Sequence, residues 1–194
     1  LFVLAMHHII SDDWSMQVLT KEVFELYSAF KTRQVTPLMP LTLQYKDYAA
    51  WQNKRLALNE TIKHKEYWHN KLKGELPVLN LPIDNIRPTR KTYSGNVISF
   101  DLSKSDLNQL DEISKNVKST LYITLVSLIK VLLYKYTDQD DIIVGTPVSG
   151  RQNFNLRNQI GYFVNVIALR NTIKAHYSYK NLLEKIRDSI LEAY

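Results

Sequence analysis

Residues 7–13 read His-His-Ile-Ile-Ser-Asp-Asp, two adjacent imidazoles with a carboxylate four residues after the second. Unperturbed imidazole titrates near roughly 6.5, so it suits proton transfer from a neutral nucleophile close to pH 7. A nearby carboxylate can fix the tautomer of such a ring, or hold the loop that presents it. The run therefore reads as a buried apolar strand, Leu1 to Met6, ending in a catalytic loop. On extended backbone His7 and His8 point to opposite sides, so only one faces a given cavity. A second reading stays open: one exposed histidine, one core histidine with its bonds satisfied, and Asp12 or Asp13 merely capping the next helix. No metal site is expected, because adjacent histidines rarely share an ion and no third and fourth ligand follows at helical spacing. The Ser11 hydroxyl is supported by proximity alone.

Three further groups could belong to a site. Asn165 is the one polar side chain along Phe163, Asn165, Ile167 and Leu169, an otherwise apolar strand face. A buried amide without partners costs about 1–3 kcal/mol, so it should bond either backbone or something held in a cavity. Arg151, just after the Gly150 turn, can pair with a buried acid or lie on the surface. Tyr45, Tyr48 and Trp51 share a helix face, for which core packing is the default and ligand binding the alternative.

Positioning these groups requires a mixed architecture. Asp12, Asp13 and Ser15 are cap types before a helix with Met16, Leu19, Val23, Leu26 and Phe30 on one face. Pro37 and Pro40 mark a loop, and helical patterns follow at Leu43–Leu58 and Ile62–Leu72, the latter stopped by Gly74. Pro77, Pro82, Pro88 and the mixed charges from Asp84 to Lys91 read as a linker, placed at residues 81–92. Tyr93–Leu102 reads as a strand. Two helices follow, one capped at Ser103–Asp106 and one at Ser119 or Thr120. Ile142–Val144 is a buried strand broken by Gly145, Pro147 and Gly150; Tyr162–Arg170 is another, and Tyr179–Leu191 a last amphipathic helix. Strand, two helices, two strands and a helix describe an α/β sandwich.

Composition narrows the function classes. With 194 residues, 45% apolar and 23% charged, the chain is an ordinary globular sequence of one or two modest domains. No apolar run approaches the roughly 18 residues of a membrane span, and no export signal is visible. Absence of cysteine excludes disulfides and thiolate chemistry from this segment and fits a reducing compartment. The net charge of +6 reads as a solvated basic surface, because no Lys/Arg block or basic–aromatic repeat points to nucleic acid. Leu1 lies within an apolar run and Tyr194 within a helical pattern, so the chain reads as a segment of something longer. There is no Gly-rich phosphate loop of the kind an ATP-using step would need.

Five segments in register, HHIISDD, QYKDYAAWQ, YWHNKL, DDIIVGTPVSGR and IGYFVNVIALR, resemble the condensation domains of nonribosomal peptide synthetases and span nearly the whole chain. The resemblance implies two lobes similar to chloramphenicol acetyltransferase, two-layer α/β sandwiches with a tunnel between them and the histidine loop near its middle. Residues 1–80 would be the end of the first lobe, truncated at the N-terminus, 81–92 the linker, and 93–194 a large part of the second. It also implies amide formation between an acyl or peptidyl thioester and an aminoacyl thioester, both borne on phosphopantetheine arms of upstream and downstream carrier domains. No cofactor is then expected on this chain, an adenylation domain is expected in the same polypeptide, and the setting is cytoplasmic, with neither membrane nor nucleic acid as partner.

The family motif HHxxxDG maps its second histidine onto His8, as base or hydrogen-bond partner of the amine, and its acid onto Asp12, as a structural group. Arg151 is the expected partner of Asp12. His7 and Asp13 flank the substrate, and Asn165, in the FVN segment, would border the acceptor side of the tunnel. The chain departs from the motif at Asp13, where the family has glycine. That substitution puts a charge beside a developing oxyanion unless the side chain tilts outward. A coenzyme A-dependent acyltransferase of the same superfamily, and a catalytically silent module that binds carrier domains, remain alternatives.

Overall fold

The computed structural model describes residues 3–86, 88–90 and 92–194. Their packing divides them into two units. One joins the described residues up to Lys71 with Thr146–Ile167; the other joins those of Leu72–Gly145 with Ala168–Tyr194.

The first unit begins with a short 3₁₀ turn at His8–Ile10, followed by α1 (Asp13–Lys31), α2 (Tyr45–Ala57) and α3 (Ile62–Lys71). Asp12 starts α1 by accepting from the Ser15 N–H, and Asp47 on α2 returns a bond to the Gln44 amide in a capping box. Thr146–Ile167 packs on these helices and carries a second 3₁₀ turn, Phe154–Leu156.

The second unit contains α4 (Lys104–Asn116), α5 (Leu121–Thr137) and α6 (Tyr179–Ala193), with α5 packed against both α4 and α6. Ser103, Thr120 and Ser178 supply their N-caps. Two strands, β1 (Asp141–Val148) and β2 (Asn165–Thr172), pair, and each runs on from this unit into the first. The Ile173 N–H bonds the Asp140 carbonyl at 2.7 Å, beside the start of β1 and the end of β2, which makes the pair antiparallel. Ile142, Leu169, Leu183 and Ile186 form the centre of the core here. Within it the buried Lys130 on α5 donates to the Ile142 and Leu169 carbonyls, at 3.1 and 2.6 Å. Arg170 grips the Asp141 carboxylate with Nε and Nη2 and bonds the Lys73 and Glu75 carbonyls, fastening the chain after α3.

Two expected strands are absent. Residues 3–6 are without regular structure and largely exposed; Leu1 and Phe2 lie outside the described residues. Tyr93–Leu102 is irregular, with Val97, Ile98 and Phe100 exposed at 84%, 89% and 81%. β-Propensity measures fit to a half-buried pleated surface, and no second edge pairs with these residues among those described. β1 in turn continues through Gly145 and Pro147, the expected breakers, to Val148, and β2 starts at Asn165 rather than Tyr162. α1 also differs from a buried amphipathic helix: Phe24, Tyr27 and Phe30 are exposed, and only Ser15 and Ala29 are buried. Among the described residues no single helix is long and apolar enough to cross a membrane.

Candidate functional site

The cap of α1 is the anchor of the site. Asp12 is 2% exposed, and its Oδ1 accepts from the Ser15 amide (2.8 Å), the Ser15 hydroxyl (2.7 Å) and Arg151 Nη2 (2.9 Å). Its Oδ2 accepts from the Phe163 amide at 3.1 Å. Arg151 is buried as well; its Nη1 donates to the Leu156 and Gln159 carbonyls at 2.6 and 2.7 Å, and its guanidinium stacks 4.0 Å from the Phe163 ring centre. Burial by itself would raise the Asp12 carboxyl. The Ser15 hydroxyl and amide, the Phe163 amide and Arg151 outweigh it and hold the group below its ordinary value of 3.8. A buried charge pair is tolerable only when most of its remaining lone pairs and protons are bonded; here four donors meet the carboxylate, while the buried Arg151 Nε has no hydrogen-bond partner.

This knot ties three consecutive residues, 161–163, to the first unit's helices. The Gly161 amide donates to Ser15 Oγ at 3.0 Å, while Arg151 Nη2 reaches the Gly161 carbonyl at 3.3 Å. The Tyr162 carbonyl accepts from the Tyr45 hydroxyl at 2.9 Å, and Phe163 is held on Asp12. Two glycines make the close approach possible. A Cβ on Gly161 would stand 2.2 Å from the Tyr45 ring; one on Gly150, whose φ is +65°, would stand 2.1 Å from the Phe163 carbonyl oxygen. Gly150→Ala is expected to destabilise by about 1–3 kcal/mol, combining positive φ with a backbone clash. Faster amide hydrogen exchange across residues 150–163 is the readout.

The two histidines differ in what their ring nitrogens do. His7 caps the 3₁₀ turn, its Nδ1 accepting from the Ile9 amide at 3.0 Å. His8 Nδ1 lies 2.6 Å from the Ser11 carbonyl oxygen. A carbonyl only accepts, so the Nδ1 proton must point at it, and a neutral His8 ring then carries its lone pair on Nε2. His7 has the opposite tautomer when neutral, with its proton on Nε2. His8 is exposed and its ring meets Tyr162 edge-on, with centroids 5.5 Å apart and planes at 78°. One of the pair thus presents a basic nitrogen at the end of its ring, away from the backbone.

Asp13 is the first residue of α1, exposed, and accepts from Gln17 Nε2 at 3.0 Å. Its backbone is helical, so the freedom that glycine would bring is not used there, and its charge favours the positive end of the helix. Asn165 is exposed, contrary to the expected burial, because it lies at the start of β2 on an open groove; its Oδ1 accepts from the Val166 amide at 2.8 Å. The groove encloses about 570 Å³, and Tyr45, Tyr48, Trp51, Arg55, Tyr162 and Asn165 are among its walls. On the aromatic face of α2, Tyr45 and Tyr48 pack on the buried Phe163, while Trp51 stands 52% exposed with Arg55 over its ring.

Ser15, Gly161 and Tyr162 were not singled out as site residues from the sequence. Ser15 occupies the third position of a helix capped by Asp12, where a side chain faces back to the cap, and that spacing could have marked it. No sequence signal places Tyr162 beside His8, since the contact depends on how Thr146–Ile167 folds onto α1 and α2.

Known proteins share both the sequence and the fold. A family model described as "Condensation domain" matches residues 1–194. The chain is 42% identical over 194 residues to tyrocidine synthase 3 of Brevibacillus parabrevis, a match that covers 100% of this chain and 3% of that protein. It is 39% identical over 192 residues to bacitracin synthase 3 of Bacillus licheniformis, covering 99% of this chain and again 3% of the relative. The chain thus spans a small part of the length of the curated relatives it matches. A solved four-domain nonribosomal peptide synthetase bound to AMP and glycine superposes with a TM-score of 0.83 at 26% identity, over 97% of this chain and 14% of that one. The X-domain from teicoplanin biosynthesis superposes with a TM-score of 0.88 at 23% identity, over 97% of this chain and 43% of that one, a likeness of fold.

Proposed function

Because the chain belongs to the condensation domain family, we propose that it is the part of a peptide-synthetase condensation domain that supplies the base for amide-bond formation. The observation that carries this reading is the His8 ring: its Nδ1 proton is committed to the Ser11 carbonyl, so Nε2 is the basic atom, and the ring is open to an incoming amine. The acceptor amine nitrogen attacks the donor thioester carbonyl carbon, and the C–N bond forms. The proton leaving that nitrogen passes to His8 Nε2. The C–S bond then breaks and the departing sulfur takes the proton back, so the ring returns neutral. Positioned proton transfer of this kind contributes about 10²–10⁴-fold, with the remainder left to alignment of the two substrates.

Asp12 and Arg151 act as structure here, holding the loop on one side of His8 and residues 161–163 on the other. His7 and Asn165 border the substrates, His7 through the end of its ring not bonded to Ile9. Both thioesters are borne on phosphopantetheine arms of upstream and downstream carrier domains, which are partners of this chain, with an adenylation domain in the same polypeptide. Thiol-borne substrates need a reducing compartment, and we place the protein in the cytoplasm. Residues 1–80 form the end of the first lobe, 81–92 the linker and 93–194 part of the second.

Asp13 motivates the competing reading, a silent module that binds carriers. Its helical backbone and its bond to Gln17 argue instead that the charge is absorbed by the helix start. The full-length parent, given donor- and acceptor-loaded carriers, should form amide product on the acceptor carrier by mass spectrometry. Asp13→Gly should change that rate by less than about tenfold, the scale of a helix-terminus charge. Product only from Asp13→Gly, and none from wild type, would establish the silent module.

A further inference from the structure

We propose that Tyr162 is a positioning residue for His8: the buried Asp12–Ser15–Arg151 knot sets its backbone, and its ring sets the orientation of the imidazole. The inference rests on the reading of His8 as the base. Tyr162 has no freedom to drift along the chain, because Gly161 and Phe163 are bonded to Ser15 and Asp12 on either side and its own carbonyl is held by Tyr45. Its side chain, by contrast, is 41% exposed, so it is not there to fill the core. What it does contact is the His8 ring, at the edge-on geometry and 5.5 Å separation in which aromatic pairs attract.

Two restraints then fix His8. The Ser11 carbonyl holds one end of the ring through Nδ1, and Tyr162 stands against it edge-on, limiting rotation about the bond to Cβ. Tyr162 in addition lines the groove that Asn165 borders, so it stands between that groove and the base. An aliphatic side chain of similar bulk would keep the volume and lose the edge-on contact.

The test is single-turnover condensation by the full-length parent with both carriers loaded, using Tyr162→Ala, Tyr162→Leu and Tyr162→Phe, each also in a His8→Ala background. Tyr162→Ala and Tyr162→Leu should lower kcat about two- to tenfold, with the acceptor carrier's KM little changed, and Tyr162→Phe should restore the rate. In the His8→Ala background none of the three should lower the residual rate further. Leucine restoring the rate as well as phenylalanine, or losses that add to that of His8→Ala, would overturn the proposal. Should Tyr162→Ala melt early, the leucine–phenylalanine comparison decides. If His8→Ala alone leaves the rate intact, the base assignment falls and this inference with it; if His8→Ala is deficient while Tyr162→Leu matches wild type, only this inference falls.

Discussion

His8→Ala in the full-length parent should lower the rate of amide formation by about 10²–10⁴-fold, while His7→Ala should cost far less. The contrast follows from the ring nitrogens. Both side chains are exposed, and both use Nδ1 locally, but in opposite senses: His7 accepts from an amide, His8 donates to a carbonyl. A neutral His7 therefore has its proton on Nε2 and can only donate there, whereas a neutral His8 can accept. Removing His7 frays a short 3₁₀ turn; removing His8 removes the acceptor for the amine's proton. The loss in His8→Ala should fall on kcat with little change in the apparent affinity for either carrier. Quantifying acceptor-bound product by mass spectrometry for both variants checks the pair.

Arg151→Met should be the most destabilising of the substitutions considered, by about 3–5 kcal/mol, because it leaves the Asp12 carboxylate buried without its cation. Arg151 bonds the Leu156, Gln159 and Gly161 carbonyls as well, so several segments lose a shared partner at once. The pH dependence has a definite sign. Asp12 is held below its ordinary value in the folded chain, so the folded state binds the proton less readily than the unfolded one. Its contribution to stability is fully present above the unfolded value of about 3.9 and is lost as pH falls through the lower folded value. In Arg151→Met the deficit should shrink on acidification, since protonation removes the stranded charge. In Asp12→Asn this contribution to the acid dependence should vanish. Amide exchange at Ser15, Gly161 and Phe163 in the intact parent, followed between about pH 5 and 3, measures all three. A double-mutant cycle on Asp12 and Arg151 should show strong coupling; additive losses would contradict the knot.

What could be read from the residues, and what could not, divides along the range of the interactions. The helices were legible because their caps and periods are local: Asp12, Ser103 and Ser178 each bond an amide three residues on. The match of Asp12 with Arg151, more than a hundred positions apart, rests on the resemblance, which makes Asp12 structural, and on the need of a desolvated carboxylate for a partner. The strands failed where they needed a neighbour. Residues 3–6 and 93–102 have strand-like apolar content, yet pairing is a property of two segments. Asn165 was expected in the interior because alternation along β2 was extended to its first residue, where the strand opens onto the groove. Ser15 reads only as a cap type and Tyr162 only as the start of a strand, because neither is chemically unusual; each matters through residues far away in the chain.

Catalysis, on this reading, depends on the free lone pair of His8 Nε2, and the most direct measurement blocks that atom. The parent synthetase carrying Nε2-methylhistidine at position 8 keeps the ring but has no lone pair on Nε2, and its neutral form, with the lone pair on Nδ1, also gives up the bond to the Ser11 carbonyl; Nδ1-methylhistidine, which loses the same bond but keeps the Nε2 lone pair, is the control. With Nε2-methylhistidine the single-turnover rate of amide formation should drop to that of His8→Ala. A rate within a few-fold of wild type, with the carriers fully loaded, would contradict the assignment.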